Sequence, residues 1–202
     1  MRIGLDFDNT IICYDEVFAA TAAARGLLPP GFCGAKQAVR DTIRQRPDGE
    51  QIWQRLQGYV YGAGIAGARP FPGVADFLRQ AQAAGARVMI VSHKTEYGHF
   101  DPARVNLRTA AMAWMRGQGF FDAEGFALDP GEIHFAGTRG EKLACIAALG
   151  CDVFVDDLPE VLGDPGFPAG VARILFGDQA APDGAHWRAC PSWVAIAQAV
   201  FA

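Results

Sequence analysis

Two acidic residues, Asp6 and Asp8, stand two positions apart at the end of the first apolar run of the chain. Residues two apart in an extended strand point to the same side, so this spacing predicts that both carboxylates leave the strand end together. Two carboxylates held close together repel each other, and the repulsion must be offset. Such a pair is typical of a divalent-cation site, or of a nucleophile beside an acid–base group.

Other polar groups occupy comparable places later in the chain. Ser92 ends a second apolar run, Asp156 and Asp157 end a third, and Lys142 opens the helical stretch before that third run. Because the carboxyl ends of parallel strands meet at one edge of a sheet, we expect these groups to collect there. Carboxylate oxygens suit Mg²⁺, and a hydroxyl with an ammonium suits the oxygens of a phosphoryl group.

Taken singly, each of these residues has a plainer explanation. The two early aspartates fit a surface turn, Asp156 fits a helix N-cap, and Ser92 fits a capping hydroxyl. Lys142 alone fits a solvated lysine on a helix face. The case for chemistry therefore depends on their joint occurrence at successive strand ends.

The elements that position these residues follow from hydrophobic patterning. Short continuous apolar runs predict buried parallel strands at 2–7, 87–92, 152–155 and 171–176. Helical stretches alternate with them at 73–84, 102–117, with Asp101 as N-cap, 141–149 and 192–201. This alternation predicts an α/β fold with a Rossmann-like, doubly wound parallel sheet.

One segment departs from the alternation. Three helical stretches, 15–25, 36–46 and 50–61, follow the first strand without a strand between them, and Pro- and Gly-rich breaks separate them. We therefore predict a catalytic core formed by 1–14 and 70–202, with 15–69 as a small inserted helical cap.

These motifs resemble those of the haloacid dehalogenase (HAD) superfamily. The run from Asp6 to Thr10 matches the first motif of that family, D-x-D-x-[T/V], and Ser92 matches the second. Lys142 matches the third motif, and Asp156 with Asp157 matches the acidic fourth. The inserted helical segment lies where the C1-type caps of the family lie.

The resemblance implies a HAD-type phosphoric monoester hydrolase that uses Mg²⁺ and an aspartyl-phosphate intermediate. Asp6 would be the nucleophile, and Asp8 would protonate the leaving oxygen and later take a proton from water. Asp8 would reach the metal through its backbone carbonyl. The residues assigned in this way are Asp6 and Asp8 for catalysis, Ser92, His93 and Lys142 for the phosphate, and Asp6, Asp8, Asp156 and Asp157 for the metal.

Asp8 also bears on the type of reaction. Family members that act on carbon–halogen bonds need no acid for the leaving group and typically lack a carboxylate at this position. Its presence favours phosphate-ester hydrolysis or phosphoryl transfer over dehalogenation. A phosphotransferase of the same chemistry and a catalytically idle binding protein with this fold are the alternatives.

Two assignments stay open at this level. The second acidic group of the fourth motif is Asp157 or Glu160, and we favour Asp157 because Pro159 can start a helix that carries Glu160 outward. His93 and Lys94 either line the phosphate site or face solvent, and the sequence does not separate these alternatives.

A finer resemblance bears on the substrate. The stretches 53–62, 92–95 and 156–160 are similar to an uncharacterised bacterial branch found near surface-polysaccharide genes. This similarity implies a small phosphorylated substrate such as a sugar phosphate or a glycan-precursor phosphate. A cap that closes over the site is typical of enzymes with small substrates.

Composition excludes some classes of partner and favours a compartment. A net charge of −4 argues against nucleic acid, and no apolar segment reaches the length needed to cross a membrane. The five cysteines form no C-x-x-C pair, which favours reduced thiols and a cytoplasmic location. The sequence leaves the oligomeric state open.

Overall fold

A parallel sheet of six strands carries the residues that the sequence singles out. The structure is a computed structural model, and it describes residues 1–184 and 186–202. The strand order is β5-β4-β1-β6-β7-β8, and every neighbouring pair is parallel. The strands are β1 Arg2–Leu5, β4 Arg87–His93, β5 Ile133–Ala136, β6 Val153–Asp156, β7 Ala172–Phe176 and β8 Trp187–Cys190.

Eight α-helices are present in the described residues, with two short strands beside them. The short strands β2 (Ile12–Cys13) and β3 (Arg69–Pro70) form a separate two-stranded sheet. The helices are α1 Asp15–Ala24, α2 Lys36–Arg44, α3 Gly49–Tyr61, α4 Val74–Ala83, α5 Leu107–Gly117, α6 Arg139–Leu149, α7 Pro159–Leu162 and α8 Trp193–Phe201.

The predicted fold class is confirmed. The strand order reverses at β1, which lies between β4 and β6, so the sheet is doubly wound about its first strand. Helices α6 and α7 pack on one layer of strand side chains, where Leu143 and Leu162 join a buried cluster with Phe154. Helices α4 and α8 form a second layer, in which Phe77 and Trp193 contact each other edge to face. Ligands of such sheets bind at the carboxyl ends of the strands, near the reversal.

Two strands of the main sheet were not predicted. The segments that form β5 (Ile-His-Phe-Ala) and β8 (Trp-Arg-Ala-Cys) carry a polar residue among their apolar ones. Both are edge strands, with a neighbour on one side only. Edge strands tolerate polar side chains because one side of the strand is not covered by the sheet, so an apolar run is a poor guide to them.

One predicted helix begins at the wrong residue. The stretch expected to be helical from 102 starts only at Leu107, and its N-cap is Asn106, whose side chain accepts a hydrogen bond from Thr109 N. Asp101 instead accepts a hydrogen bond from Ala103 N, within a local turn. Asp101 and Asn106 are both good capping residues, and the propensity for capping alone does not choose between them.

The chain groups into two compact units. The first contains 1–12, 70–94 and 119–202 and holds the parallel sheet. The second contains 13–69 and 95–118, so it joins the whole predicted insert to a stretch that the sequence assigns to the core. Stacked aromatic rings form its core, with Phe18 and Trp53 at a centroid distance of 4.9 Å. The insert boundaries 15–69 and the role of this segment as a cap stay predictions.

Two further expectations concern membranes and thiols. Within the described residues, no helix has both the length and the apolar character needed to cross a bilayer. All five cysteines are free thiols, in agreement with the absence of a disulfide framework from the sequence.

The close approach of β1 and β6 yields a test of the packing. A Cβ added at Gly4 would overlap the Phe154 ring and lie 2.8 Å from Cys151 Sγ. We expect Gly4→Ala to lower the free energy of unfolding by about 1–3 kcal/mol, since neither neighbour can move without disturbing the core. Urea unfolding measures the change.

Gly140→Ala is the matched control for this substitution. Apart from its chain neighbours and the backbone of its own helix, no atom of the described residues lies within 4 Å of a Cβ added at Gly140, which is exposed in the first turn of α6. We expect this variant to unfold at the wild-type urea concentration or above it. Equal midpoints for both variants would contradict the packing argument.

Candidate active site

The turn after β1 fixes the first acidic residue. Asp6 N donates a hydrogen bond of 2.8 Å to Val155 O, which extends the pairing of β1 with β6 by one residue. Asn9 then takes a left-handed conformation (φ 61°), and Ile11 N donates to Phe7 O to close the turn. The Asp6 side chain lies inside this arrangement and is only 7% exposed.

Thr10 links this turn to the rest of the sheet unit. Its hydroxyl lies 3.2 Å from Asp6 Oδ2 and 3.5 Å from Asp157 Oδ1, so its one proton can be donated to either carboxylate or shared between them. Its backbone carbonyl accepts a hydrogen bond of 3.0 Å from Trp193 Nε1, a donor from a fully packed ring in α8. Thr10 therefore supports the turn.

A capping box places Lys142. Thr138, the N-cap, accepts a hydrogen bond at Oγ1 from Glu141 N, and Glu141 Oε2 accepts one from Gly137 N, one residue before the N-cap, so the arrangement is a variant of the usual box. The box starts α6 at Arg139, two residues before the predicted start. Lys142 consequently lies in the first turn of the helix, with its side chain directed into the sheet edge.

Lys142 bridges two carboxylates from neighbouring strands. Its Nζ donates to Asp6 Oδ1 at 2.7 Å and to Asp156 Oδ2 at 2.6 Å. The lysine is 1% exposed and Asp156 is fully buried, so both ion pairs are shielded from water. Charge-assisted hydrogen bonds of this length are the strongest that side chains form.

Three carboxylates face one another beside this lysine. Asp6, Asp156 and Asp157 each offer an oxygen, and these oxygens lie within 4.8 Å of one another. The remaining Asp156 oxygen, Oδ1, accepts a hydrogen bond from Leu158 N, which holds the group in place. An all-oxygen set of this kind fits Mg²⁺. Glu160, the alternative to Asp157, lies exposed on α7.

Burial governs the protonation of this cluster. Burial raises the pKa of Asp156 to about 7 and also raises that of Asp6, although Lys142 opposes the shift in both. Burial by itself would lower the pKa of Lys142, but the two carboxylates outweigh it and raise that pKa above its ordinary value. Two negative charges beside one ammonium thus leave an excess of negative charge, which a cation would neutralise.

Ser92 and His93 end the neighbouring strand β4. Ser92 is fully buried, and within residues 1–184 and 186–202 its Oγ has no hydrogen-bond partner. A buried hydroxyl without a partner is costly, so it marks a place where a ligand would bind. His93 is exposed, and its Nε2 lies 3.1 Å from Gly137 O.

The structure places Lys94 at the site, a residue for which the sequence left two alternatives open. Its Nζ lies 2.9 Å from both Asp8 Oδ1 and Asp8 Oδ2, and its side chain is 2% exposed. A signal was present in the spacing, because Ser92 and Lys94 are two residues apart along an extended segment and share a side of it. The structure thus brings together Asp6, Asp8, Thr10, Ser92, Lys94, Lys142, Asp156 and Asp157 at the carboxyl ends of three adjacent strands.

Solved structures similar to this chain include HAD-family hydrolases. A HAD family hydrolase from Deinococcus radiodurans, crystallised with bound phosphate and sodium, has 19% identity and a TM-score of 0.55, and the match covers 96% of this chain and 92% of that one. A haloacid dehalogenase-like family protein from Streptococcus pneumoniae has 14% identity and a TM-score of 0.61 over 98% and 97% of the two chains.

A third similar structure is a predicted phosphoglycolate phosphatase from Haemophilus somnus, with 13% identity and a TM-score of 0.56 over 98% and 96% of the two chains. No protein-family model and no curated protein matches the chain. At these identities the matches show the fold: the chain has the Rossmann-like α/β fold of HAD-family hydrolases.

The raised pKa of Asp156 predicts how stability depends on pH. Between pH about 4 and 7 the folded protein binds more protons than the unfolded chain, so without metal its free energy of unfolding falls as the pH rises. The fall should be on the order of a few kcal/mol. Urea unfolding at pH 5 and pH 8 in EDTA measures it. Asp156→Asn, which cannot titrate, should flatten the dependence, and an equally steep fall in that variant would contradict the assignment.

Proposed function

We propose that the protein is a phosphatase that hydrolyses a small phosphate monoester through a phosphorylated Asp6. The observation that carries the proposal is the Lys142 bridge, because Lys142 Nζ lies between two carboxylates, 2.7 Å from Asp6 Oδ1 and 2.6 Å from Asp156 Oδ2. The buried Ser92 hydroxyl on the next strand is a second donor for an anionic ligand. A carboxylate nucleophile flanked by fixed donors fits phosphoryl transfer.

In the first step, an Asp6 carboxylate oxygen attacks phosphorus and the bond to the ester oxygen breaks. The leaving oxygen keeps the electron pair and takes a proton from the Asp8 carboxyl group. Ser92 and Lys142 donate hydrogen bonds to the phosphoryl oxygens, on which negative charge develops. The products are an acyl phosphate on Asp6 and a free alcohol.

In the second step, water attacks the same phosphorus. Asp8, now a carboxylate, takes the proton from that water, and the bond between phosphorus and the Asp6 oxygen breaks. Inorganic phosphate leaves and both aspartates return to their starting states. Asp6, Asp156, Asp157 and the Asp8 backbone carbonyl would hold Mg²⁺, which supplies positive charge beside the phosphoryl oxygens when bound.

Asp8 favours ester hydrolysis over cleavage of a carbon–halogen bond. A halide leaves without a proton, whereas an alkoxide needs one, and Asp8, two residues after Asp6, would supply it. The similar structures bear dehalogenase-like as well as phosphatase descriptions, so the proposal depends on this residue. A cytoplasmic sugar phosphate or glycan-precursor phosphate, as the sequence resemblance implies, is the substrate class to test first.

Replacing the nucleophile tests the proposal. With Mg²⁺ and 4-nitrophenyl phosphate, Asp6→Asn should lower kcat by at least about 10³-fold, since an amide oxygen is a poor nucleophile. The matched control is Asp76→Asn, an exposed aspartate on α4, which should keep the wild-type rate. Near-wild-type turnover by Asp6→Asn would rule out an aspartyl-phosphate intermediate on Asp6. Transfer of phosphate to an added alcohol in place of water would identify a phosphotransferase.

Replacing Asp8, the proton-transfer group, should lower kcat/KM to an extent that depends on the leaving group. Asp8→Asn should lower kcat/KM by about 10²–10⁴-fold for an alkyl phosphate, and far less for an aryl phosphate whose leaving group needs no acid. Mg²⁺ affinity, measured by calorimetry, should stay close to the wild-type value because only the backbone carbonyl of Asp8 is assigned to the metal. A large loss of Mg²⁺ affinity would show that the Asp8 side chain is a ligand.

A further inference from the structure

Lysine is rare in this chain, and its places are unusual. Of the 18 basic side chains only Lys36, Lys94 and Lys142 are lysines. Two of these three are buried at the carboxyl ends of sheet strands, each against aspartate side chains. The mechanism proposed above uses Lys142 and assigns no task to Lys94.

Lys94 is fixed by the sheet and not by a loose loop. Its backbone N donates a hydrogen bond of 3.0 Å to Ala136 O, which extends the pairing of β4 with β5 by one residue. The ammonium lies 5.7 Å from the centre of the Phe7 ring, so the end of the side chain is also packed. A buried ammonium is costly without a counter-ion, and Asp8 supplies one.

The ion pair between Lys94 and Asp8 restricts the orientation of the Asp8 side chain more than that of the Lys94 side chain. The Asp8 side chain is 18% exposed and follows the end of β1, where a short side chain has several allowed rotamers. Nζ lies 2.9 Å from each Asp8 carboxylate oxygen, and these two contacts favour one orientation of the group. Two carboxylates that repel each other thus have separate counter-ions: Lys142 for Asp6 and Lys94 for Asp8.

We propose that Lys94 is a positioning residue that holds the Asp8 carboxyl group where it gives a proton to the departing oxygen and later takes one from water. The inference rests on the proposed function and adds one residue to it. Lys94 acts through Asp8 and does not touch the substrate. A lysine that bound the phosphate directly would affect all esters alike, and this difference makes the roles separable.

Two matched esters separate these roles. 4-Nitrophenyl phosphate releases a stable phenolate, whereas 4-nitrobenzyl phosphate, one methylene longer, releases an alkoxide that needs a proton. Lys94→Met should lower kcat/KM by about 10–100-fold for the benzyl ester and by less than about 3-fold for the phenyl ester. The exposed Arg79→Met is the control and should change neither value.

A double-mutant cycle tests whether Lys94 acts through Asp8. In the Asp8→Asn background, Lys94→Met should cause no further loss with the benzyl ester, because the group that it positions is already gone. Equal losses for both esters, or a full additional loss in the double variant, would overturn the proposal in favour of direct phosphate binding. Lys94→Gln, which keeps a donor without the charge, replaces the methionine variant if that variant does not fold.

The pair is also open to a test that needs no activity. Protein labelled with ¹⁵N at lysine Nζ has only three side-chain ammonium groups, and Lys94→Met or Lys142→Met identifies the resonance that each lysine gives. Asp8→Asn should shift the Lys94 resonance, and Asp6→Asn should shift that of Lys142. An unmoved Lys94 resonance in Asp8→Asn would overturn the proposal even in an active phosphatase. If the wild-type protein has no phosphatase activity in Mg²⁺, both the proposed function and this inference are wrong. The lysine resonances would still show whether the two ion pairs form.

Discussion

The buried ammonium of Lys142 is the interaction on which the sheet edge depends. The register of β1 against β6, with Leu5 opposite Val155, puts Asp6 and Asp156 on adjacent strands one residue later. At that place two buried carboxylates would repel each other, and the lysine from α6 lies between them at 2.7 and 2.6 Å. The strand register, the capping box that starts α6 and the turn after β1 all have to be correct for this bridge to form.

Stability alone is a weak explanation for such a bridge. Taking an ammonium and two carboxylates out of water is costly, and apolar replacements of buried ion pairs are often neutral or stabilising. The raised pKa values of Asp6 and Asp156 show that burial is not fully offset. A site that keeps surplus negative charge next to fixed donors is better explained as a place where a cation and an anionic group bind together.

The sequence predicted the centre of the sheet and the acidic cluster because strands that are buried on both faces appear in the sequence as apolar runs. Strands β1, β4 and β6 contain apolar runs that lead to Asp6, Ser92 and Asp156, and β7 is apolar apart from Arg173. The edge strands lack such a run and were not predicted. The start of α5 was predicted at the wrong residue for a different reason, because two capping residues compete there. The pairing of Lys94 with Asp8 was not predictable in the same way, since period-two spacing gives the side of a strand and not the partner.

The choice of lysine at the Lys142 bridge follows from geometry. An arginine presents a planar fork that fits one carboxylate in a bidentate manner, whereas an ammonium is a compact charge whose three donors can point in different directions. Lys142 uses this property to reach carboxylates on two strands, Asp6 and Asp156. Lys94, by contrast, contacts the two oxygens of one carboxylate, an arrangement that the fork of an arginine would also fit. Geometry therefore explains the lysine that joins two strands, whereas the contact with Asp8 requires a buried cation and not specifically a lysine.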